Sequence, residues 1–334
     1  MKAMIFEEHG PVANLHLADL PDPVPAEGEV MIRVRAISLN GFDPMILARI
    51  PGIKTPLPMI PGGDVAGEIA GFGPGGDATG LAKGMRVMAN PLLPGGVLGE
   101  TVRGGACDYL CLPMQNVIRL PDAVSFEDAA ALPIAYGTAH RMMLTRGQVK
   151  KGDKVLVLGA TGGVGVCCVQ LARLQGAEVA ACTSSAAKAA MLKSIGADHV
   201  INVSETDYFE AVKGLWGKPK VWGESGGADV VVNFVGGEDW VRSLRCVKRG
   251  GKLLTCGATN GFSPQTDIRY IWSFELNVIG SNSWTNEDLI SLLDLVATGR
   301  ISPVKSSVRP IEELAVSFQE MIDRKVFGKA ILTL

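Results

Sequence analysis

Four glycines in one short stretch, Gly159, Gly162, Gly163 and Gly165, carry the strongest chemical signal in the chain. They sit in VLVLGATGGVGVCCVQLARLQGAEV, where a buried strand runs into the glycines and an amphipathic helix from Val164 follows. The spacing is GxxGGxG. Early glycines let the chain turn sharply and let backbone approach a pyrophosphate, while the last permits close packing of helix on strand. The helix start, at Val164, turns unsatisfied N–H groups and the positive end of its dipole toward phosphate oxygens. With a strand before, a helix after and a second strand ~20 residues on, the context predicts a dinucleotide site rather than an incidental tight turn.

The second strand, Glu178–Thr183, discriminates between cofactors. A site for NAD usually ends this strand on Asp or Glu, whose carboxylate accepts from the ribose hydroxyls. Here the chain continues through Thr183, Ser184 and Ser185, with Lys188 just beyond. Hydroxyls and an ammonium suit a 2′-phosphate that a carboxylate would repel, so NADP(H) is the expected cofactor. The plainer reading of Lys188 is a solvated helix lysine. Further on, Asn233 lies at the end of the strand Val230–Phe234, and Cys256 and Gly257 end the strand from Lys252. Open parallel sheets bind ligands at such carboxyl ends.

These residues need a scaffold, and the pattern supplies one. From Ser125 onward, strands alternate with ~10-residue helices, which predicts a parallel sheet of βαβ units. SFEDAAALPIAYGTAHRMML reads as one Ala-rich helix, with Ser125 as N-cap and Asp128 three residues on. Before it, short strands at Met1–Phe6, Val30–Ile37, Val65–Ile69, Met85–Ala89 and Tyr109–Pro113 alternate with Pro/Gly turns such as PGIKTPLPMIPGGD. That texture predicts a barrel-like β domain. The tail adds a strand Asn277–Ser281, helices Asn286–Ala297 and Ile311–Arg324, and a closing strand Gly328–Leu334.

Composition narrows the function class. At 334 residues the chain has room for about two domains. With 32 basic against 34 acidic residues it has no basic excess, which argues against nucleic acid or an acidic membrane as partner. Glycine, at 41 residues, exceeds the usual ~7 % and points to tight turns and close backbone–ligand approaches. The 7 cysteines form no CxxC pair, so reduced, mostly buried thiols are expected. The opening MKAMIFEEHG lacks the apolar run of a signal peptide, and no stretch approaches the ~18 apolar residues of a membrane span. A cytoplasmic location is expected.

Taken in order, SLNGFD, PMIPGGDVAGEI, DAAALPIAYGTAH, LGATGGVG, GGKLLTCG and VFGKAIL resemble the medium-chain dehydrogenase/reductase superfamily, and within it the zinc-independent quinone-reductase-like branch. The resemblance implies a GroES-like β-barrel catalytic domain from residues 1–125 plus 265–334. A Rossmann domain with a doubly wound parallel sheet, residues 126–264, would be inserted into it. It further implies a homodimer through the edge strand Asn277–Ser281. Asn40 matches a polar residue that orients the substrate, although it could simply satisfy a turn in LNGFD. Thr138 matches a threonine near the nicotinamide. Lys329 matches a lysine near the cofactor phosphates, with a surface lysine as the plainer alternative.

Zinc-dependent relatives take their ligands from positions that correspond here to Asn40, Gly63 and Ile134, none of which is a good zinc ligand. The segment PLLPGGVLGETVRGG, where relatives hold a structural zinc, has no cysteine. Cys107 and Cys111, four apart on a strand, would stand ~13 Å from each other. No metal is expected, although Asp43 and Asp64 fall where zinc relatives keep supporting carboxylates and leave an atypical site open. Without a Lewis acid, the expected reaction is hydride transfer from NADPH to a quinone or to the activated C=C of an α,β-unsaturated carbonyl. Relatives that reduce enoyl thioesters often carry a tyrosine after LNxxD; PMILARIPGIKTP has none, leaving water, Tyr136 or His140 to deliver a proton. Two further readings are a zinc-type alcohol dehydrogenase and a low-turnover NADPH-binding sensor or structural protein.

Overall fold

In the computed structural model, which describes residues 1–75 and 80–334, the alternating segment Glu29–Ser38 forms the central strand of the first of two units. Val30, Ile32, Val34 and Ala36 point into the core, as period-two patterning requires. One edge of this strand pairs antiparallel with Asp64–Phe72 along its length. The other edge changes partner: Tyr109–Pro113 takes Glu29–Arg33, and Lys329–Thr333 takes Ala36–Ser38. The sheet continues to Arg86–Ala89 and Val117–Arg119 on one side and to Lys305–Pro310 on the other. Phe6, Ile37, Met59 and Phe318 are among the fully buried side chains of its core.

The second unit holds a six-stranded sheet built from β1 (Lys154–Val157), β2 (Glu178–Thr183), β3 (His199–Asn202), β4 (Ala228–Val232), β5 (Val247–Thr255) and β6 (Asn277–Gly280). All pairs are parallel and the order is β3-β2-β1-β4-β5-β6. The order reverses between β1 and β4, the switch point at which doubly wound sheets bind dinucleotides. Val155, Leu156 and Val157 are all buried, as expected of a central parallel strand covered on both faces. Helix α1 (Gly163–Leu174) follows β1 and helix α2 (Ala186–Ser194) follows β2.

The unit boundaries differ from the sequence expectation at both crossings. The first unit comprises Met1–Ala135 with Asn286–Leu334, and the second Tyr136–Thr285. Residues 126–135 stay with the first unit because Asp128 pairs with Lys305 (2.5 Å) and Ile134 N–H donates to Asp64 (2.8 Å). Asn277–Gly280 belongs to the second because it is the sixth parallel strand, bonded to β5. The helix expected after Ser125 runs over residues 126–146, but its hydrogen bonding alternates between α and π. Phe126–Ala130 and Gly137–His140 are α-helical, while Leu132–Tyr136 and Arg141–Arg146 are π-helical. Pro133 contributes by removing a backbone donor. Ser125 does cap, its Oγ accepting from Asp128 N–H at 3.0 Å. Among the described residues no helix is long and apolar enough to cross a membrane.

Candidate functional site

In the first unit, antiparallel pairing sets the end of Glu29–Ser38 beside the starts of Asp64–Phe72 and Lys329–Thr333. Ser38 faces Asp64 on one side and Ile331 on the other. Three strand ends thereby bring Ser38, Asn40, Asp64 and Lys329 together. Lys329 is 1 % exposed, and its Nζ lies 2.5 Å from Asn40 Oδ1 and 3.0 Å from Asp64 Oδ2. The same carboxylate oxygen accepts from Ser38 Oγ and Asn40 Nδ2, both at 2.9 Å, while Oδ1 accepts from Ile134 N–H. A buried charge is thus answered by an opposite charge and by further hydrogen bonds, the condition for tolerating it. The arrangement also fixes the Asn40 amide, because Oδ1 must face the ammonium and Nδ2 the carboxylate.

Asp43 belongs to the same neighbourhood. It begins the short helix Asp43–Ala48 and is 1 % exposed. Its carboxylate accepts from Asn40 N–H at 2.6 Å and from Gly62 N–H at 3.3 Å, closing the LNGFD turn. Burial pushes its pKa up to about 7, against the opposing pull of the Asn40 N–H and of the Lys329 charge.

In the second unit the glycine turn follows β1. Gly159 has φ +66°, which L side chains rarely adopt, and a Cβ on Gly165 would stand 2.2 Å from Gly159 O. Gly162 is the N-cap of α1 and supplies no side-chain cap; a Cβ there would meet only Gly159 O, at 3.9 Å. The first N–H groups of α1, at Gly163 and Val164, are therefore left without a side-chain cap beside a position with open space, which fits a pyrophosphate. At the end of β2 come Thr183, Ser184 and Ser185, with no carboxylate, and half-buried Lys188 lies in the first turn of α2. Burial lowers the pKa of that ammonium. At the carboxyl ends of β5 and β6 lies a cavity of about 820 Å³, lined by Thr255, Cys256, Gly257 and Ser281 among others.

Several residues stand differently from expectation. Lys329 is neither a surface lysine nor open to a phosphate from solvent, since its ammonium is enclosed by Asn40 and Asp64. The Thr183 hydroxyl is engaged in a local turn, accepting from Ser185 N–H at 3.0 Å. Asn233 is at the end of β4 as expected, yet its side chain faces inward. It donates to Ser243 Oγ (2.9 Å) and accepts from Val235 and Gly236 N–H, so it shapes the loop rather than reaching a ligand. Tyr136 is fully buried and its hydroxyl donates to Gln170 (3.1 Å), which removes it as a proton donor. Thr138 is half-buried and His140 buried, both in Gly137–His140. Arg141, Arg146 and Ser281, which line the cavity, gave no motif. The Lys329–Asp64 pair had a faint signal: isolated charges opening otherwise apolar strands in GGDVAG and GKAIL.

Residues 26–122 match the alcohol dehydrogenase GroES-like domain family, and residues 163–298 match the zinc-binding dehydrogenase family. The chain is 31 % identical to the synaptic vesicle membrane protein VAT-1 homolog of Rattus norvegicus, over 99 % of its own length and 84 % of that protein. It is a medium-chain dehydrogenase/reductase. The quinone oxidoreductase of Pongo abelii is 29 % identical, over 99 % of this chain and 96 % of that one. The crystal structure of an NAD-dependent alcohol dehydrogenase matches with a TM-score of 0.91 at 32 % identity, covering 100 % of both chains. As a medium-chain dehydrogenase/reductase the protein is an oxidoreductase, of a superfamily that works with nicotinamide cofactors.

The residues present do not fit the zinc of the superfamily's metal-dependent members. Gly63 offers no donor, and a Cβ on it would stand 2.6 Å from Leu98 O and 2.7 Å from Ile134 Cδ1, leaving no room for a larger side chain. Both oxygens of Asp64 are already engaged, and the Lys329 ammonium balances its charge. No group of three or more His, Cys, Asp or Glu able to hold a metal ion occurs among the described residues. Burial raises the Cys107 thiol to about 12, away from the thiolate a metal would need.

Proposed function

We propose that this chain is an NADP(H)-dependent, metal-independent reductase whose acceptor is a quinone or the activated C=C of an α,β-unsaturated carbonyl. The observation that carries the reading is the Lys329–Asp64–Asn40 cluster: the buried polar centre of the GroES-like unit is complete with a side-chain ammonium. Such a centre orients an acceptor by hydrogen bonding and needs no Lewis acid. Asn40 holds the acceptor oxygen through the Nδ2 hydrogen that Asp64 does not take, and Lys329 and Asp64 position that amide.

The N–H groups at Gly163 and Val164 bind the pyrophosphate, while Gly159 and Gly162 keep the turn bare. Ser184, Ser185 and Lys188 take the 2′-phosphate. Thr138, Cys256 and Gly257 line the nicotinamide end. When bound, the dinucleotide supplies the hydride; where a C=C is reduced, water supplies the proton. The chain acts as a cytoplasmic homodimer through β6, an edge strand on which Val278 is exposed, with exposed Ile268 and Trp272 preceding it in the chain.

The test is consumption of NADPH and NADH by the purified protein with a quinone, an enone, an enoyl thioester and a simple aldehyde, with and without a chelator. Turnover with quinone or enone, preferring NADPH and indifferent to chelator, is the expected outcome. Lys188→Ala should weaken NADPH about tenfold and leave NADH unchanged. Aldehyde reduction abolished by the chelator would overturn the reading.

A further inference from the structure

We propose that Lys329 is an electrostatic positioning residue of the reaction, acting through Asn40. Its ammonium polarises the Asn40 amide, so that the one unspent Nδ2 hydrogen meets the charge an acceptor oxygen gains as hydride arrives. The inference rests on the reductase reading and deepens it: the charge of Lys329, and not only its hydrogen bond, selects acceptors that pass through an oxyanion.

Asn40 has little bonding freedom left. Its backbone N–H donates to Asp43 Oδ2 at 2.6 Å, and its backbone carbonyl accepts from Asp43 N–H at 3.0 Å. Lys329 Nζ holds Oδ1 at 2.5 Å, and one Nδ2 hydrogen goes to Asp64 Oδ2 at 2.9 Å. No described residue takes the other Nδ2 hydrogen. Buried donors are nearly always paired, so an open one on a residue only 6 % exposed is where an acceptor oxygen fits.

Main-chain bonds hold both sides of the Lys329–Asn40 contact. Leu39 N–H donates to Ala330 O at 3.0 Å, which ties together the neighbours of the two residues. Lys329 N–H donates to Val304 O at 2.9 Å. Gly328, with φ +85°, makes that approach possible, because a Cβ there would collide with Val304 O. The ammonium is therefore in place before the acceptor arrives. A charge fixed in advance stabilises a transition state without the cost of reorganisation.

The ion pair is aligned with the amide dipole, its ammonium at the carbonyl end and its carboxylate at the amino end. A bond to Oδ1 draws electron density toward oxygen and leaves Nδ2 more positive, and hydrogen bonds chained in this way strengthen one another. The Asp64 carboxylate acts against the open hydrogen, since it lies two hydrogen bonds from any oxygen bound there. Without Lys329, an oxygen gaining charge would face an unanswered anion. A neutral donor on Oδ1 would hold the amide equally well and leave that repulsion in place. Hydride addition at the β-carbon of an enone shifts the C=C and C=O electron pairs so that the charge ends on oxygen, as an enolate. Water then protonates the α-carbon, and the saturated ketone, hydroxide and the oxidised dinucleotide remain. A quinone spreads the added charge over its ring and depends less on the ammonium.

Polarisation and turnover are tested separately. Infrared difference spectra of the full chain with NADP+ and cyclohex-2-enone read the bound carbonyl stretch without hydride transfer. The stretch should shift down in wild type, and most of that shift should be lost in K329Q, although glutamine still offers Asn40 Oδ1 an N–H. With NADPH, K329Q should lower kcat for cyclohex-2-enone by about tenfold to hundredfold and change KM by less than about threefold. The loss with 1,4-benzoquinone should be smaller. Urea midpoints identify the folded variants. If K329Q does not fold, D64N and D64N/K329Q, which differ at residue 329 alone, carry the same comparison. An equal carbonyl shift and an equal kcat with and without the ammonium overturn the inference and leave the reductase reading standing. A lysine-dependent shift without turnover of either acceptor keeps the polarisation and overturns the reductase reading. No bound carbonyl signal in wild type overturns both.

Discussion

The two polar regions of the molecule solve opposite problems. In the GroES-like unit, Ser38, Asn40, Asp64 and Lys329 are buried and bonded to one another, and the Asp64 carboxylate alone accepts from Ser38, Asn40, Lys329 and the backbone of Ile134. In the parallel-sheet unit the equivalent groups are left open: α1 starts without a side-chain cap, and Ser281 Oγ has no partner. A region that satisfies itself can position a group but has little bonding capacity left over for a ligand. A region with unmet donors is less stable alone and gains when something binds. The contrast also explains the glycines, which keep the backbone of the second region bare where a side chain would fill the space.

The sharpest way to break the comparison is to remove the internal cation. Lys329→Met leaves the Asp64 charge buried and uncompensated, and should cost about 3–5 kcal/mol of stability, read as a lower urea midpoint. Adding Asp64→Asn in the same chain should recover part of that loss, because both charges are then gone. A loss below about 1 kcal/mol for the single change would mean that water reaches the cluster. Next in size is Gly162→Asp. Its φ of −82° and the open space at its Cβ let the fold tolerate the change, while a carboxylate at the start of α1 repels phosphate. NADPH binding should weaken about tenfold to hundredfold with little change in midpoint. Gly165→Ala should show the reverse order of effects, since its Cβ collides with Gly159 O and the turn itself gives way.

Much of this was legible from the residues alone, and the failures have identifiable causes. The glycine turn, the parallel sheet and the Ser125 cap are local features, set by spacing within one or two elements. The helix Asp43–Ala48 was hidden because Asp and Pro open it and only six residues follow its pattern. Tyr208–Trp216 carries a plain helical signal, with Tyr208, Val212 and Trp216 buried at i, i+4 and i+8 behind an Asp207 cap, and it went unread; Lys305–Pro310 is a partly exposed edge strand with few buried positions to mark it. The Lys329–Asp64 pair spans 265 positions in sequence. No local rule reaches that far: only the antiparallel register of three strands brings the charges together. Asn233 failed differently. Its position was read correctly, but which way a side chain turns depends on Ser243 and on the backbone at Val235 and Gly236.

Asp43 tests the self-satisfied region at its weakest point. Its folded pKa is about 7 against an ordinary 3.8, because burial outweighs its two N–H bonds and the Lys329 charge. Between those values the native state holds a proton that the unfolded chain has lost. Stability from this group must therefore fall as pH rises from about 4 to about 7, by at most about 1.4 kcal/mol per unit, and level off above. Asp43→Asn removes the titration, so the difference in urea midpoint between wild type and variant should shrink or change sign from pH 5 to pH 7 and level off by about pH 8. A flat difference across that range would show Asp43 ionised throughout. Its charge would then be as fully answered as that of Asp64, and the whole cluster would be balanced at every pH where the protein works.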